Sequence, residues 1–448
     1  MRALRWLIIA VAVVFGLGTL AIAIGAFWLN SFIHSDAFKT EVESRESQTL
    51  GGPVQVQTVD FNILQGVKLQ GLVTQIDPNH DGGQGALKMQ VESVNCAYSW
   101  IDLLHGELRL TGITLDKPVF VLTKQPTAPM AAPDEAGAST PSGAVQKNAT
   151  AVPFQFVLDH AKVSDGSFTI CDAAGTSMVT LQGVNAAANT AGFFNGNDVT
   201  GTLKIADMVG SNLHVTNFYT PFTYHQNLLD AKSFEGSAFN GSLAGDFHLD
   251  GSSPSVLNLN AKGFDVAQLT AATSSGSSAK ITGSLDFQSK WLSVESGDPN
   301  GEGDAQLTNG KLEGVKILAE VGRVLKINEL QEPAITSAKT HFVVQNRQTR
   351  FIGLQLNSLL FQITGDGVVG FNGGLNANLV LILTRDAMGR LPQAAAASFV
   401  QGQDGTGSVA FQVTGTTSNP QTDLPMRLLM QNTEIKNVIN KALNKFFH

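Results

Sequence analysis

The chain has 448 residues, of which 15% are charged; it carries 45 glycines, three tyrosines and a net charge of −8. That length accommodates two or three compact domains or one extended repetitive structure. Sparse charge with abundant Gly favours a β-rich extracytoplasmic protein over a helical cytosolic enzyme, and the negative balance without any Lys/Arg cluster excludes nucleic acid as the partner.

Residues 1–6 carry Arg2 and Arg5, and residues 7–29 form an apolar run ending in Phe27, Trp28 and Leu29. At 1.5 Å per residue such a run spans the ~30 Å core of a bilayer with some tilt. It is longer than a signal-peptide core of ~7–15 residues, so it reads as an uncleaved transmembrane anchor. The positive-inside rule holds residues 1–6 in the cytoplasm, and Trp28 sits at the outer headgroup interface.

Beyond a helical pattern from Asp36 to Ser47, the period changes to two. "PVQVQTVDFNILQGVKLQGLVTQI" opens a β region over 30–123. Residues 124–152, rich in Pro, Ala, Ser and Thr, read as a low-complexity linker. A middle β region over 153–300 alternates at Phe154, Phe156 and Leu158, at Leu257 and Leu259, and at Leu285 and Phe287, with a Ser-rich loop at 270–280. A third β region, 301–422, alternates at Phe361 and Ile363, at Leu379 and Leu381, and at Phe411. Within it Leu312, Val315, Leu318, Val321 and Leu325 sit at helical spacing, predicting a helix between Lys311 and Ile327. Two-residue alternation makes one face apolar and one wet, and the Gly, Asn and Asp punctuation predicts antiparallel hairpins. These apolar positions are the candidate ligand-binding residues. Residues 423–448 form a basic amphipathic helix that either lies on a membrane or caps the sheet, with its lysines in water.

Motifs that would mean chemistry fail on context. Gly365, Gly367 and Gly370 have the G-x-G-x-x-G spacing of a dinucleotide site, but a strand pattern follows where a helix must open. The glycines read instead as a turn and strand bends. "DPNHDG" places Asp77, Asn79 and Asp81 before Gly82 like half of a calcium loop, yet Lys88 stands where the closing carboxylate belongs. No histidine spacing fits a metal site and no nucleophile motif appears, so no cofactor, metal or enzyme activity is expected. Cys96 and Cys171 are either a disulfide or two buried reduced thiols.

Several stretches together resemble the AsmA family. "LGGPVQVQTVDFNILQGVKLQGLVTQID" and "SWIDLLHGELRLTGITLDKPVFVL" look like its N-terminal region. "FVLDHAKVSDGSFTICDAAG" resembles the next hairpin, with a turn at Asp165–Gly166. "GEGDAQLTNGKLEGVKILAEVGRVLKI", "FVVQNRQTRFIGLQLNSLLFQITGDGVVGFNGGLNANLVLIL" and "VTGTTSNPQTDLP" resemble its C-terminal domain. The resemblance covers both ends; residues 190 to 300 share only β character. It implies an AsmA/TamB-type protein of the bridge-like lipid transfer superfamily: mainly β, an elongated, curved antiparallel sheet forming an open trough or β-taco, with a few helices, behind the anchor. The implied setting is the inner membrane, single-pass, with the body in the periplasm. The implied ligands are phospholipid acyl chains, each buried CH₂ contributing about 0.8 kcal/mol. An outer-membrane or periplasmic protein is an expected further partner. The competing expectation is a structural or regulatory scaffold for outer-membrane assembly, in which the same alternation faces a dry core.

Overall fold

The computed structural model describes residues 54–62, 66–76, 85–99, 102, 109–124, 157–190, 198–210, 212–226, 228–250, 254–273, 280–292, 298–424 and 427. The expected anchor with Arg2, Arg5 and Trp28, linker residues 125–152, Phe154, Phe156, the Asp77–Gly82 segment and the C-terminal helix beyond Arg427 lie outside the described residues. Among the described residues no helix is long and apolar enough to cross a membrane. The chain is mainly β and divides into two units, Met1–Ala231 and Lys232–His448.

In unit 1, β1 (Val54–Gln55) and β2 (Thr58–Asn62) both pair with β3 (Gly66–Ile76), which pairs with β4 (Gly85–Tyr98). On its other side β4 carries β5 (Arg109–Asp116) along its second half and β6 (Val119–Lys124) along its first. β5 and β6 are therefore one strand with a break, at which Lys117 takes a left-handed φ of 45° and Pro118 has no N–H for the ladder. β7 (Val157–Leu158) and β8 (His160–Cys171) run parallel to β5 and β6. β9 (Ser177–Thr190), β10 (Val199–Gly210) and β11 (His214–His225) then follow antiparallel.

Two expectations are corrected here. The sheet is mixed, not wholly antiparallel: a parallel neighbour needs a return connection of a dozen or more residues, and the linker between Lys124 and Val157 supplies it. Asp165–Gly166 is not a hairpin turn but an interior bulge of β8. Asp165 has φ 51° and donates its N–H to Asn185 Oδ1 at 3.1 Å. The strand continues because its parallel neighbour breaks at the same level. Lys117 N–H donates to Ser164 O at 2.8 Å and Ser167 N–H to Pro118 O at 2.7 Å, carrying the ladder across the break.

The boundary between the units falls within β12 (Leu228–Ala238). Unit 2 continues with β13 (Gly241–Asp250), β14 (Val256–Asp265), helix α1 (Val266–Thr273), β15 (Lys280–Leu292) and β16 (Asn300–Glu313). Helix α2 (Lys316–Leu325) and a 3-10 turn at Asn328–Leu330 lead to β17 (Ala334–Gln345), β18 (Gln348–Ser358), β19 (Phe361–Gly370) and β20 (Leu375–Leu383). Short helices α3 (Arg385–Gly389) and α4 (Gln393–Ala396) precede β21 (Val400–Gln401), β22 (Gly407–Gly415) and β23 (Pro420–Thr422). From β13 to β20 each strand pairs antiparallel with the next, and β22 joins beside β20.

The Ser-rich stretch expected as a loop from residue 270 is helical to Thr273, because Asp265 Oδ1 accepts the N–H groups of Ala267 and Gln268 and starts α1. The helix expected from Lys311 begins only at Lys316, since Lys311, Leu312 and Glu313 still pair with β15. Two bulges in unit 2 share one construction. Gly263 in β14 (φ 70°) and Gly353 in β18 (φ 62°) each donate the N–H to an aspartate on the next strand, Asp286 and Asp366, at 2.7 Å. Nothing lies within 4 Å of where either Cβ would stand, so the glycine serves the left-handed backbone and not a close approach. Each bulge bends its strand and adds twist.

Candidate functional site

The alternation in unit 2 builds one continuous apolar face. Leu257 lies between Phe247 and Trp291 on neighbouring strands, and Leu259 between Gly245 and Ser289. Phe287 lies between Ala261 and Ala305, and Leu285 between Phe264 and Leu307. The face carries on through Ala338, Thr340, Phe342 and Val344 of β17 to Phe351 and Leu356 of β18. No charged side chain falls on it among these registered positions. Its hydroxyls are already engaged: Ser289 Oγ accepts from Trp291 Nε1 at 2.9 Å, and Thr340 Oγ1 donates to Ile352 O at 3.2 Å.

The opposite face is polar. Lys290 stands opposite Glu302, Gln306 opposite Lys339, and Asp304 Oδ1 accepts from His341 Nδ1 at 3.0 Å. Asn258 donates to Asp246 at 2.8 Å across β13 and β14. Charge on one face and none on the other lets the sheet have water on one side only.

The apolar face is not uniform in depth. Leu257, Leu259, Leu285, Phe287, Trp291 and Phe342 are half-buried, with Phe287 edge-on to the buried Phe264 ring, and among the described residues none belongs to the cluster under α2. Toward β19, β20 and β22 the same face becomes a closed core. Phe361 pairs with Leu383, Ile363 with Leu381, and Leu379 with Phe411. Phe361, Ile363, Leu381 and Phe411 are buried there with Leu318, Val321 and Leu325 of α2, and Leu379 packs half-buried against them.

The candidate residues therefore fall into two groups. Leu257, Leu259, Leu285 and Phe287 line the half-buried ladder, and Phe361, Ile363, Leu381 and Phe411 lie in the closed cluster, with Leu379 at its margin. Leu158 is in β7, beside Leu110 in a different unit.

Sequence reasoning missed how the rings on this face are seated. Trp291, Phe342 and Phe351 each stand directly across from a glycine, at Gly301, Gly303 and Gly367 respectively. A Cβ on Gly367 would lie 2.3 Å from Phe351 Cζ, and one on Gly301 2.6 Å from the Trp291 ring. The rings lean across the strand and lie on the glycine instead of standing off the sheet. This accounts for Gly367 of the G-x-G-x-x-G spacing, which sits inside β19 with β20 following and no helix opening after it. The signal was present as aromatic and glycine positions but is legible only with the strand register.

Cys96 and Cys171 are both free and buried, so no disulfide joins them. Burial pushes the Cys96 thiol up to about 12, which leaves it protonated and unreactive. Among the described residues no group of three or more His, Cys, Asp or Glu side chains is arranged to hold a metal ion. No family model, curated protein or solved structure matches the chain.

Proposed function

We propose that this is an inner-membrane-anchored protein whose periplasmic body holds phospholipid acyl chains on the apolar face of unit 2. In this reading it supports lipid movement toward the outer membrane, and so envelope integrity, without catalysing a reaction. The observation that carries the reading is the ladder of Leu257, Leu259, Leu285, Phe287, Trp291 and Phe342: apolar, uncharged and only half-buried, with a polar face behind it. A folded protein gains by covering such surface, and an acyl chain covers it without needing any hydrogen bond. The resemblance of both ends of the chain to AsmA-type proteins supports the same reading.

The full chain, extracted in mild detergent, is analysed by mass spectrometry of its organic extract beside an unrelated single-pass membrane protein. Phospholipid enriched over that control, and lost in a folded Leu259→Asp variant, is the expected result. Phospholipid at the level of the control protein contradicts it.

The closed cluster under α2 favours a second reading for β19–β22, in which that part is a dry scaffold for outer-membrane assembly. A scaffold throughout predicts that Leu259→Asp unfolds unit 2 as thoroughly as Leu381→Asp does.

A further inference from the structure

We propose that the chain beyond Arg427 continues as a helix across the apolar side of unit 2 and is the cover of the half-buried ladder. This decides between the two readings of the C-terminal amphipathic pattern and stands without the lipid-holding reading. The root of the helix lies within the described residues. Leu424 and Arg427 are helical, and Arg427 N–H donates to Asp423 O at 3.0 Å, the first i to i−4 bond of a helix. Asp423 fixes that start to the edge of β22, where its carboxylate accepts from Gln412 N–H at 2.7 Å. Leu424 is 1% exposed and belongs to the buried cluster with Phe411 and Val413 of β22 and Leu318 of α2. The helix therefore starts with its Leu424 side turned onto the apolar side of the sheet.

The sequence beyond keeps that side apolar. From Leu424, steps of 4, 7, 4, 3 and 4 residues reach Leu428, Ile435, Ile439, Ala442 and Phe446, with Val438 beside them and Gln431 as the polar member. Such steps stay on one face of an α-helix, so the stripe is in phase with the buried Leu424. Thr433, Asn437, Asn440 and Asn444 fall on the opposite side. A helix lying on a membrane turns its whole stripe to lipid, whereas here the first turn of the stripe is already packed on the protein. From Leu424 to Phe446 the helix runs about 33 Å, or about seven strand spacings of ~4.8 Å. Seven spacings lead from β22 across β20, β19, β18, β17, β16 and β15 to β14, the strand of Leu257 and Leu259. On this course the helix passes beside α2 and then over Phe342, Phe287 and Leu259, and both apolar surfaces leave water. Running off the edge of β22 instead would leave stripe and ladder both wet.

Benzoylphenylalanine, a photo-crosslinking residue, is placed at Ile439, Ala442 or Asn440 in the full chain, one site at a time, and cross-linked peptides from irradiated cells are identified by mass spectrometry. Ile439 stands about 22 Å along the helix from Leu424, which sets it over β16 and β17. Cross-links from 439 or 442 to peptides of β15–β18, with none there from 440, are the expected result. Lipid adducts alone at 439 and 442, cross-links only to a second chain, equal yields on these strands from 440, or no adduct at 439 and 442 would overturn the proposal. Phospholipid is measured in the same preparations. The expected cross-links in protein without phospholipid above the control defeat the lipid-holding reading and leave the cover standing, whereas bound phospholipid without those cross-links does the opposite.

Discussion

Two stretches of one sheet, β13–β17 and β19–β22, share the same two-residue rhythm and differ in what lies over their apolar side. In the second, α2 contributes Leu318, Val321 and Leu325, and Leu381 and Phe361 are each 2% exposed. In the first, Leu257, Leu259, Leu285 and Phe287 stay half-buried, with Phe287 edge-on to the buried Phe264 ring. Alternation alone thus specifies that a face is apolar; how deeply it is buried depends on what packs over it, which for β19–β22 is α2. The difference is the physical basis for assigning ligand binding to one stretch and stability to the other.

The comparison is most easily broken by stability measurements. Leu381→Ala, in the closed cluster, should cost about 2–5 kcal/mol, whereas Leu259→Ala on the ladder should cost about 1 kcal/mol. Urea unfolding of both variants checks this, and equal losses would mean that the ladder is core as well.

The bulges sharpen the comparison, because one lies on each side of the change in depth. Gly353→Ala and Gly263→Ala should each cost about 1–2 kcal/mol through the left-handed backbone alone, there being open space where each methyl would go. Thermal unfolding should show both losses, and the amide protons of Gly263 and Gly353 should lose hydrogen-exchange protection in Asp286→Ala and Asp366→Ala respectively.

A smaller effect concerns the edge that closes β22. Asp423 accepts from Gln412 N–H at 2.7 Å and from Arg427 Nε at 2.6 Å. Partial burial works against the Asp423 carboxylate, but these hydrogen bonds outweigh it and hold it below the usual range. A group whose folded-state value is depressed stabilises above its unfolded value, near 3.9, and that stability is lost as pH falls through the folded value. Asp423→Asn should therefore cost about 1 kcal/mol at pH 7, a deficit that shrinks below about pH 4. A deficit unchanged down to pH 2.5 would assign the effect to something other than the carboxylate.

Much of this fold was legible in the sequence, for reasons that particular residues make plain. Leu257/Leu259 and Phe361/Ile363 alternate and each lies in a strand with one apolar face, while Leu375–Leu383 alternates as far as Leu379 and is then apolar throughout, with Val380 and Ile382 on the other parity. The start of α2 was misplaced because Leu312 satisfies both the helical and the strand pattern until its pairing with Ile281 is known. Asp165–Gly166 has the composition of a hairpin turn, and only the matching break at Lys117–Pro118, on a strand some fifty residues away in the sequence, keeps β8 running through it. Parallel pairing across the linker has no local signature. The ring-over-glycine pairs are likewise cross-strand facts: Phe351 and Gly367 are sixteen positions apart and meet only through the register of β18 and β19.

The most direct test places the photo-crosslinking residue benzoylphenylalanine, one site at a time, at Leu259, Asn258 or Leu381 in the full chain, irradiates cells and looks for covalently attached lipid by mass spectrometry. The account predicts acyl-chain adducts at position 259, none at 258 on the polar face, and none at 381 in the closed cluster. Adducts at 258 as abundant as at 259, or none at any of the three positions, would contradict it.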